Sequence, residues 1–546
     1  MNKFSRKTLA VLIAAASLIT PVFSVAGANN SGYGPQPPQD NPDQNVINRI
    51  KEEAQKHSHI METVGHMTDV IGPRLTGSPN LKKAEQYATD KLRECGITNV
   101  HLEPWGPFGR GWSLEDFSAK MIAPDFSSLI AYPKAWSPGT NGTVRGEVVF
   151  LNAKTLEDLG NYKGKLEGKI VLFSPARAVA PNFQPEPHRT TDDELLKLED
   201  ARPPGESPRS GMNPERRAEV DLIFNKWRLV YSEGAAAVLE PGRGDAGTVY
   251  VTSAIIPPAA GAPFDKRTNP WDVSKPTVIP QVVIAAEQYN RIIRLVTRHV
   301  PVEMEVTIKA RFYDQDTMSY NVIGEIPGSD LKDEVVMIGG CIDSWHAGTG
   351  ATDNAAGVAV ALEVMRILKT LDLKPRRTVR IGLWSAEEQG AFGSRAYVAE
   401  HFGKRANAAI EQSAPPRLEL KTEYEKFSCY FNLDYGTGKI RGIFLQGNEA
   451  VRPIFRAWLA PFKDMGASTT SISNIGSDQV SFDEIGLPGF GFIRDFMEGT
   501  TRTGHTNMDV YDHVLEDDLK QAAVIAASFI YNAAMRAEKL PRKPLR

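Results

Sequence analysis

Between Val335 and Asp434 the chain alternates short apolar runs with helix-like stretches, and each run ends at residues able to bind metal or move protons. Val335-Val336-Met337-Ile338 leads to Cys341 and Asp343. The run Val379 to Trp384 leads to Glu387-Glu388, and Cys429 to Leu433 leads to Asp434. Runs this short and this continuously apolar read as strands buried on both faces, as in parallel sheets. In open α/β sheets the functional crevice lies beyond the carboxyl ends of such strands. Residues far apart in sequence are therefore expected to converge. The predicted fold class is α/β, a mixed, mostly parallel sheet flanked by helices. Ala355 to Leu371, apolar nearly all round its first half, predicts a buried helix. Helical spacing also predicts a last helix over Asp517 to Ala537 and an early one ending at Gly96.

A length of 546 residues suggests two domains. Residues 46–121 and 318–546 share the strand–helix grammar and read as one discontinuous domain. Residues 122–309 differ: short β runs, including Val148 to Leu151, Ile170 to Phe173 and Val282 to Ile284, sit among dense Gly and Pro. The series Gly168-Lys169-Ile170-Val171-Leu172, Gly234-Ala235-Ala236-Ala237-Val238 and Ile279-Pro280-Gln281-Val282 resembles a protease-associated domain, with a generic β-rich insert as the alternative. Within it, residues 184–228 are Pro-rich and charged, and read as a solvated excursion.

Lys3, Arg6 and Lys7 precede an apolar stretch from Leu9 to Val25, and Ala26-Gly27-Ala28 offers small residues at a cleavage site. Residues 1–28 therefore read as a signal peptide, against the alternative of an uncleaved anchor, and 29–45 as a disordered leader. This predicts a secreted or periplasmic protein with no membrane attachment after cleavage. A formal net charge of -3 argues against a nucleic-acid partner. The odd count of three cysteines cannot pair fully within one chain, and no disulfide is expected at Cys341.

Peptide-bond hydrolysis needs a nucleophile active at neutral pH and a stabiliser for the developing oxyanion. Two adjacent divalent metals supply both, and their repulsion calls for anionic ligands. The ordered set Cys341-x-Asp343, Asp353, Glu387-Glu388, Asp434 and His505 resembles the co-catalytic zinc exopeptidases. That family includes bacterial leucyl aminopeptidases and plasma glutamate carboxypeptidase (carboxypeptidase Q). The resemblance implies a zinc exopeptidase fold carrying two zinc ions and acting on peptides or dipeptides. It implies that Asp353 bridges the metals, that Glu388 and His505 complete one site, and that Asp434 and Cys341 complete the other. It makes Glu387 the general base and Asp343 a residue that orients a ligand, and it implies a cis Asp353-Asn354 peptide.

The family has histidine where Cys341 stands. Cys341 either binds zinc as a thiolate, leaves a weak or empty site, or marks a catalytically impaired relative. The first reading is favoured because cysteine is a competent zinc ligand and the other positions are intact. Aminopeptidase action is placed first, and dipeptidase or carboxypeptidase action second. Asp478, Asp495 or Glu498 could hold a free amine, and Arg494 or Arg502 a free carboxylate. His346 lies near the site and reads as a surface-loop histidine, with contact to metal or substrate as the alternative.

Overall fold

The computed structural model describes residues 40–204, 213–257, 259, 268–275, 278–405, 418–434 and 436–544. The expected signal peptide, most of the leader and residues 205–212 of the excursion lie outside them. Residues 40–45 are not the disordered leader expected. Asp40 pairs with Arg536, and Asp43 caps the helix Gln44–Lys56 by accepting the N–H of Asn45 at 2.9 Å and of Val46 at 3.3 Å.

The first of two eight-stranded sheets carries β1 (Thr98–Trp105), β2 (Ser319–Ile326), β3 (Leu331–Cys341), β4 (Arg377–Trp384), β5 (Phe427–Asn432), β6 (Ile440–Phe444), β7 (Thr469–Ser471) and β8 (Gly489–Arg494). Their order in space is β1-β2-β4-β3-β5-β8-β6-β7. The four central strands β4, β3, β5 and β8 run parallel, while β1, β2 and β6 pair antiparallel. The sheet is thus mixed, with a parallel centre. Strands β4 and β5 are buried along almost their whole length and β3 from Val335 onward, which is why these stretches read as unbroken apolar runs. The helix Ala356–Thr370 is buried on nearly every side, and Glu516–Met535 packs against it. Both ends of these helices fall within two residues of their sequence-predicted positions.

At the centre, β3 and β4 approach very closely. A Cβ on Gly339 would lie 1.7 Å from the carbonyl oxygen of Gly382, so glycine is required there. Beyond β3 and β5, Asn354 donates its side-chain amide to Cys341 O at 3.2 Å and Leu433 O at 2.9 Å, tying the two strand ends together.

The second sheet orders Ser127–Ser128, Gly111–Ala123, Glu303–Tyr313, Val144–Phe150, Ile170–Leu172, Ala237–Pro241, Gln281–Ile284 and Ala131–Pro133. Gly111–Ala123 pairs with Glu303–Tyr313 along its length, so this sheet begins about ten residues before the boundary expected from the sequence. Part of the expected solvated excursion is docked instead. Arg189 bridges Asp495 at 3.0 Å and Asp518 at 2.5 Å, and the helix Asp192–Glu199 packs Leu195 against Phe444 and Ile493. Interleaved charges concealed this, because an ion pair to a distant carboxylate looks the same in sequence as a solvated side chain. No helix among the described residues is long and apolar enough to cross a membrane.

Candidate metal centre

The carboxyl ends of β4 and β5 deliver Glu387-Glu388 and Asp434 to one cavity of about 520 Å³, the loop after β8 brings His505 to it, and Cys341 at the end of β3 is buried against Asp434. The cavity lining includes Asp353, Glu387, Glu388, Asn432, Asp434 and His505. Two clusters form, each with its ligand-type atoms within 4.8 Å of one another: Cys341, Glu387 and Asp434, and Asp353, Glu388 and His505. His505 Nε2 lies 3.1 Å from both Asp353 Oδ2 and Glu388 Oε2. Cys341 Sγ lies 3.3 Å from Asp434 Oδ1. The Asp353-Asn354 peptide is cis.

Surrounding residues hold these groups in place. Asp343 is fully buried. It accepts the backbone N–H of Glu387 at 3.2 Å and of Glu388 at 3.4 Å, and the hydroxyl of Thr76 at 2.8 Å. Ser477 donates to Asp434. Asn432 donates to Ser477 at 2.9 Å and accepts from Tyr430, which accepts from Trp384 Nε1 at 2.7 Å. Asp509 accepts the N–H of Thr352 at 2.6 Å and of Asp353 at 3.1 Å. Arg74, fully buried, donates to Ile342 O, Thr349 O and Gly350 O at 3.0, 2.7 and 2.8 Å, joining the segment after β3 to the one before Asp353. Sequence reading missed Arg74, Asp509 and Ser477. They carry no metal-ligand spacing, and their role is set by contacts that cross the chain.

Electrostatically the cavity calls for cations. Burial, followed by the charges of Asp434 and Asp478, pushes the Glu387 carboxyl well above the usual carboxylate range. Burial and Asp353 push Glu388 to about 8, and the same two causes raise Asp434. Burial raises Asp343 to about 6. Burial and the surrounding acids push the Cys341 thiol up. Burial opposes the charged form of His505, but Glu388 and Asp353 overcome it and raise its pKa. Glu388 Oε1 is buried with no hydrogen-bond partner. Crowded acids, an orphaned carboxylate oxygen, a thiol and an imidazole make a donor set suited to zinc.

The other candidates of the sequence reading are placed differently. Asp495 is fully buried between Arg189 and Arg441, each at 3.0 Å, and Glu498 pairs with His513 and with Arg502 at 3.3 Å. Arg494 is buried and donates to Gly436 O at 2.8 Å, while Asp478 is fully buried and influences Glu387. His346 is not on the surface. It is 8% exposed, stands edge-on to Trp112 and has Nε2 2.8 Å from Pro133 O, because the β-rich insert covers its loop. All three cysteines are free. A second cavity of about 560 Å³ lies against the 500–506 loop, with Arg243 and Tyr250 of the insert in its wall.

Residues 321–530 match peptidase family M28. Over 484 residues the chain is 26% identical to carboxypeptidase Q of Mus musculus, covering 88% of this chain and 87% of that protein. Among solved structures, a peptidase M28 precursor from Shewanella amazonensis SB2B aligns with a TM-score of 0.64 at 24% identity, over 92% of this chain and 99% of that one. The zinc aminopeptidase BSAP from Bacillus subtilis aligns with a TM-score of 0.53 at 18% identity, over 88% and 95%. At these identities the two structures share the fold.

Proposed function

From the premise that this chain is a zinc-dependent metallopeptidase resembling the co-catalytic exopeptidases, with residues 321–530 matching peptidase family M28, we propose an exported enzyme that holds two zinc ions and cleaves next to a free carboxyl terminus. Export rests on the basic and apolar residues at the amino terminus. The insert, from about 111 to 313 by its strand pairing, is proposed as the protease-associated domain.

Cys341 and Asp434 would hold one zinc, and Glu388 and His505 the other, with Asp353 shared. Asp353 Oδ2 lies 3.1 Å from His505 Nε2, and its charge acts on both Glu388 and Asp434, which supports the shared role. With Cys341 as thiolate, the five residues carry four negative charges against four positive. Zinc held there would supply Lewis acidity for the scissile carbonyl and would lower the pKa of the attacking water. Glu387 takes the proton from that water and returns it to the leaving amine. Asp343 holds Glu387 and Glu388 through their backbone amides, so the first stays free to move a proton while the second faces His505.

The observation that carries the substrate polarity is the state of the nearby charges. Asp495 and Glu498 are already neutralised by ion pairs and Asp478 is fully buried, whereas Arg243 has no carboxylate within ion-pair distance among the described residues and faces the second cavity. That reverses the order drawn from sequence alone. The whole-length likeness to carboxypeptidase Q supports it. Matched peptides with a free or amidated carboxyl terminus, and with a free or acetylated amine, test it. Amidation is expected to lower kcat/KM by about 100-fold, roughly the loss of a charge-assisted hydrogen bond. A larger loss on acetylation than on amidation would restore the aminopeptidase order.

A further inference from the structure

The loop that presents His505 is held by the insert. Val251 donates its N–H to His505 O at 2.9 Å, Asn507 donates to Val249 O at 3.2 Å, and Val249 donates to Asn507 Oδ1 at 2.7 Å. These bonds flank a histidine whose φ is +59°, a left-handed conformation that non-glycine residues seldom adopt. Between them, Tyr250 places its hydroxyl 2.9 Å from His505 Nδ1, with the ring centroids 5.3 Å apart. The Arg243 guanidinium lies over the Tyr250 ring, 4.7 Å from its centroid.

The other ring nitrogen, Nε2, faces Asp353 and Glu388. A neutral imidazole carries one N–H. For Nε2 to offer a lone pair to a cation, the proton must sit on Nδ1, where the phenol oxygen is in place to accept it. We infer that Tyr250 is a positioning residue of the metal centre: its oxygen accepts the Nδ1–H of His505, fixing the tautomer and ring plane that turn Nε2 toward zinc. The inference rests on the zinc-holding role proposed for His505. It makes the insert, which lies outside the segment matching the peptidase family, part of the centre. A partner on the far nitrogen raises the basicity of a histidine ligand and restricts its rotation.

Tyr250→Phe keeps the ring and its stacking but removes the oxygen. Wild type and variant are stripped of metal and titrated with zinc against a chromophoric chelator, and their metal-free melting temperatures are recorded. The variant is expected to bind one zinc equivalent about 10- to 100-fold more weakly, with the other equivalent and the metal-free melting temperature unchanged. In the loaded enzyme, kcat falls while KM holds. Identical zinc titrations would overturn the inference and leave the proposed function standing. Equal weakening of both equivalents together with a lower metal-free melting temperature would assign Tyr250 a general structural role, which also overturns it. Wild type that takes up no zinc would overturn inference and proposed function together.

Discussion

The carboxylate of Asp343 accepts the backbone N–H of Glu387 at 3.2 Å, although strand β3 and the turn after β4 are separated by more than thirty residues of helix and strand. It also accepts the N–H of Glu388 at 3.4 Å, so one buried anion sets the direction of two neighbouring acids. The family resemblance gives this position the task of orienting a histidine ligand. Here Cys341 replaces that histidine, and the carboxylate organises the opposite strand's turn. Asp343→Asn keeps the size but replaces one accepting oxygen with a donor. We expect kcat to fall about 10- to 100-fold, the range for partners of metal ligands, with the metal-free melting temperature nearly unchanged. Steady-state kinetics and thermal melts check this.

Glu387→Gln tests the division of labour between the paired acids. If Glu387 moves the proton, the amide variant loses about 100- to 10,000-fold in kcat, the usual contribution of general base catalysis. Zinc content should match wild type. The structure gathers Glu387 with Cys341 and Asp434, so elemental analysis of the variant separates a proton carrier from a ligand.

His346 gives the fold an acid-side weakness. Its Nδ1 is buried with no partner, and burial pushes its pKa down to about 4 from the ordinary 6.5. The unfolded chain therefore binds a proton that the folded one refuses. Its contribution to stability is complete above pH 6.5 and is lost progressively as pH falls toward 4. The loss approaches about 3 kcal/mol at the low end. His346→Gln should flatten this part of the stability–pH curve, as measured by urea unfolding at a series of pH values.

Gly339→Ala probes the close approach of β3 and β4. A methyl group there meets the backbone oxygen of Gly382 at 1.7 Å, and neither strand can yield without shifting the residues that follow it. We expect a loss of about 3 kcal/mol or more, at the upper end for overpacked cores. Denaturant titration measures it directly.

Much of this was legible in the chain itself because the chemistry sits at strand ends. Apolar runs marked β3, β4 and β5; the acids that follow β4 and β5 became the cavity wall, and the cysteine closing β3 lies buried against Asp434. The buried helix Ala356–Thr370 was equally plain, since a helix apolar on all sides has nowhere else to go. Contacts between segments far apart in sequence were not legible. Arg74 is a lone arginine in a turn-rich stretch until the fold folds it beneath Ile342 and Gly350. Tyr250 sits in a β-rich segment with no motif, and only tertiary structure brings it to His505. Arg189 and Asp495 are unremarkable charges until they pair, and His346 looks exposed until the insert covers it.

The central claim is that Cys341, Asp353, Glu388, Asp434 and His505 together hold two zinc ions. Zinc per chain, measured by elemental analysis on folded protein loaded with zinc and freed of excess metal, tests it most directly. The account predicts two equivalents in wild type and one in Cys341→Ala. One equivalent or none in wild type, or two retained after removal of the thiol, would contradict it.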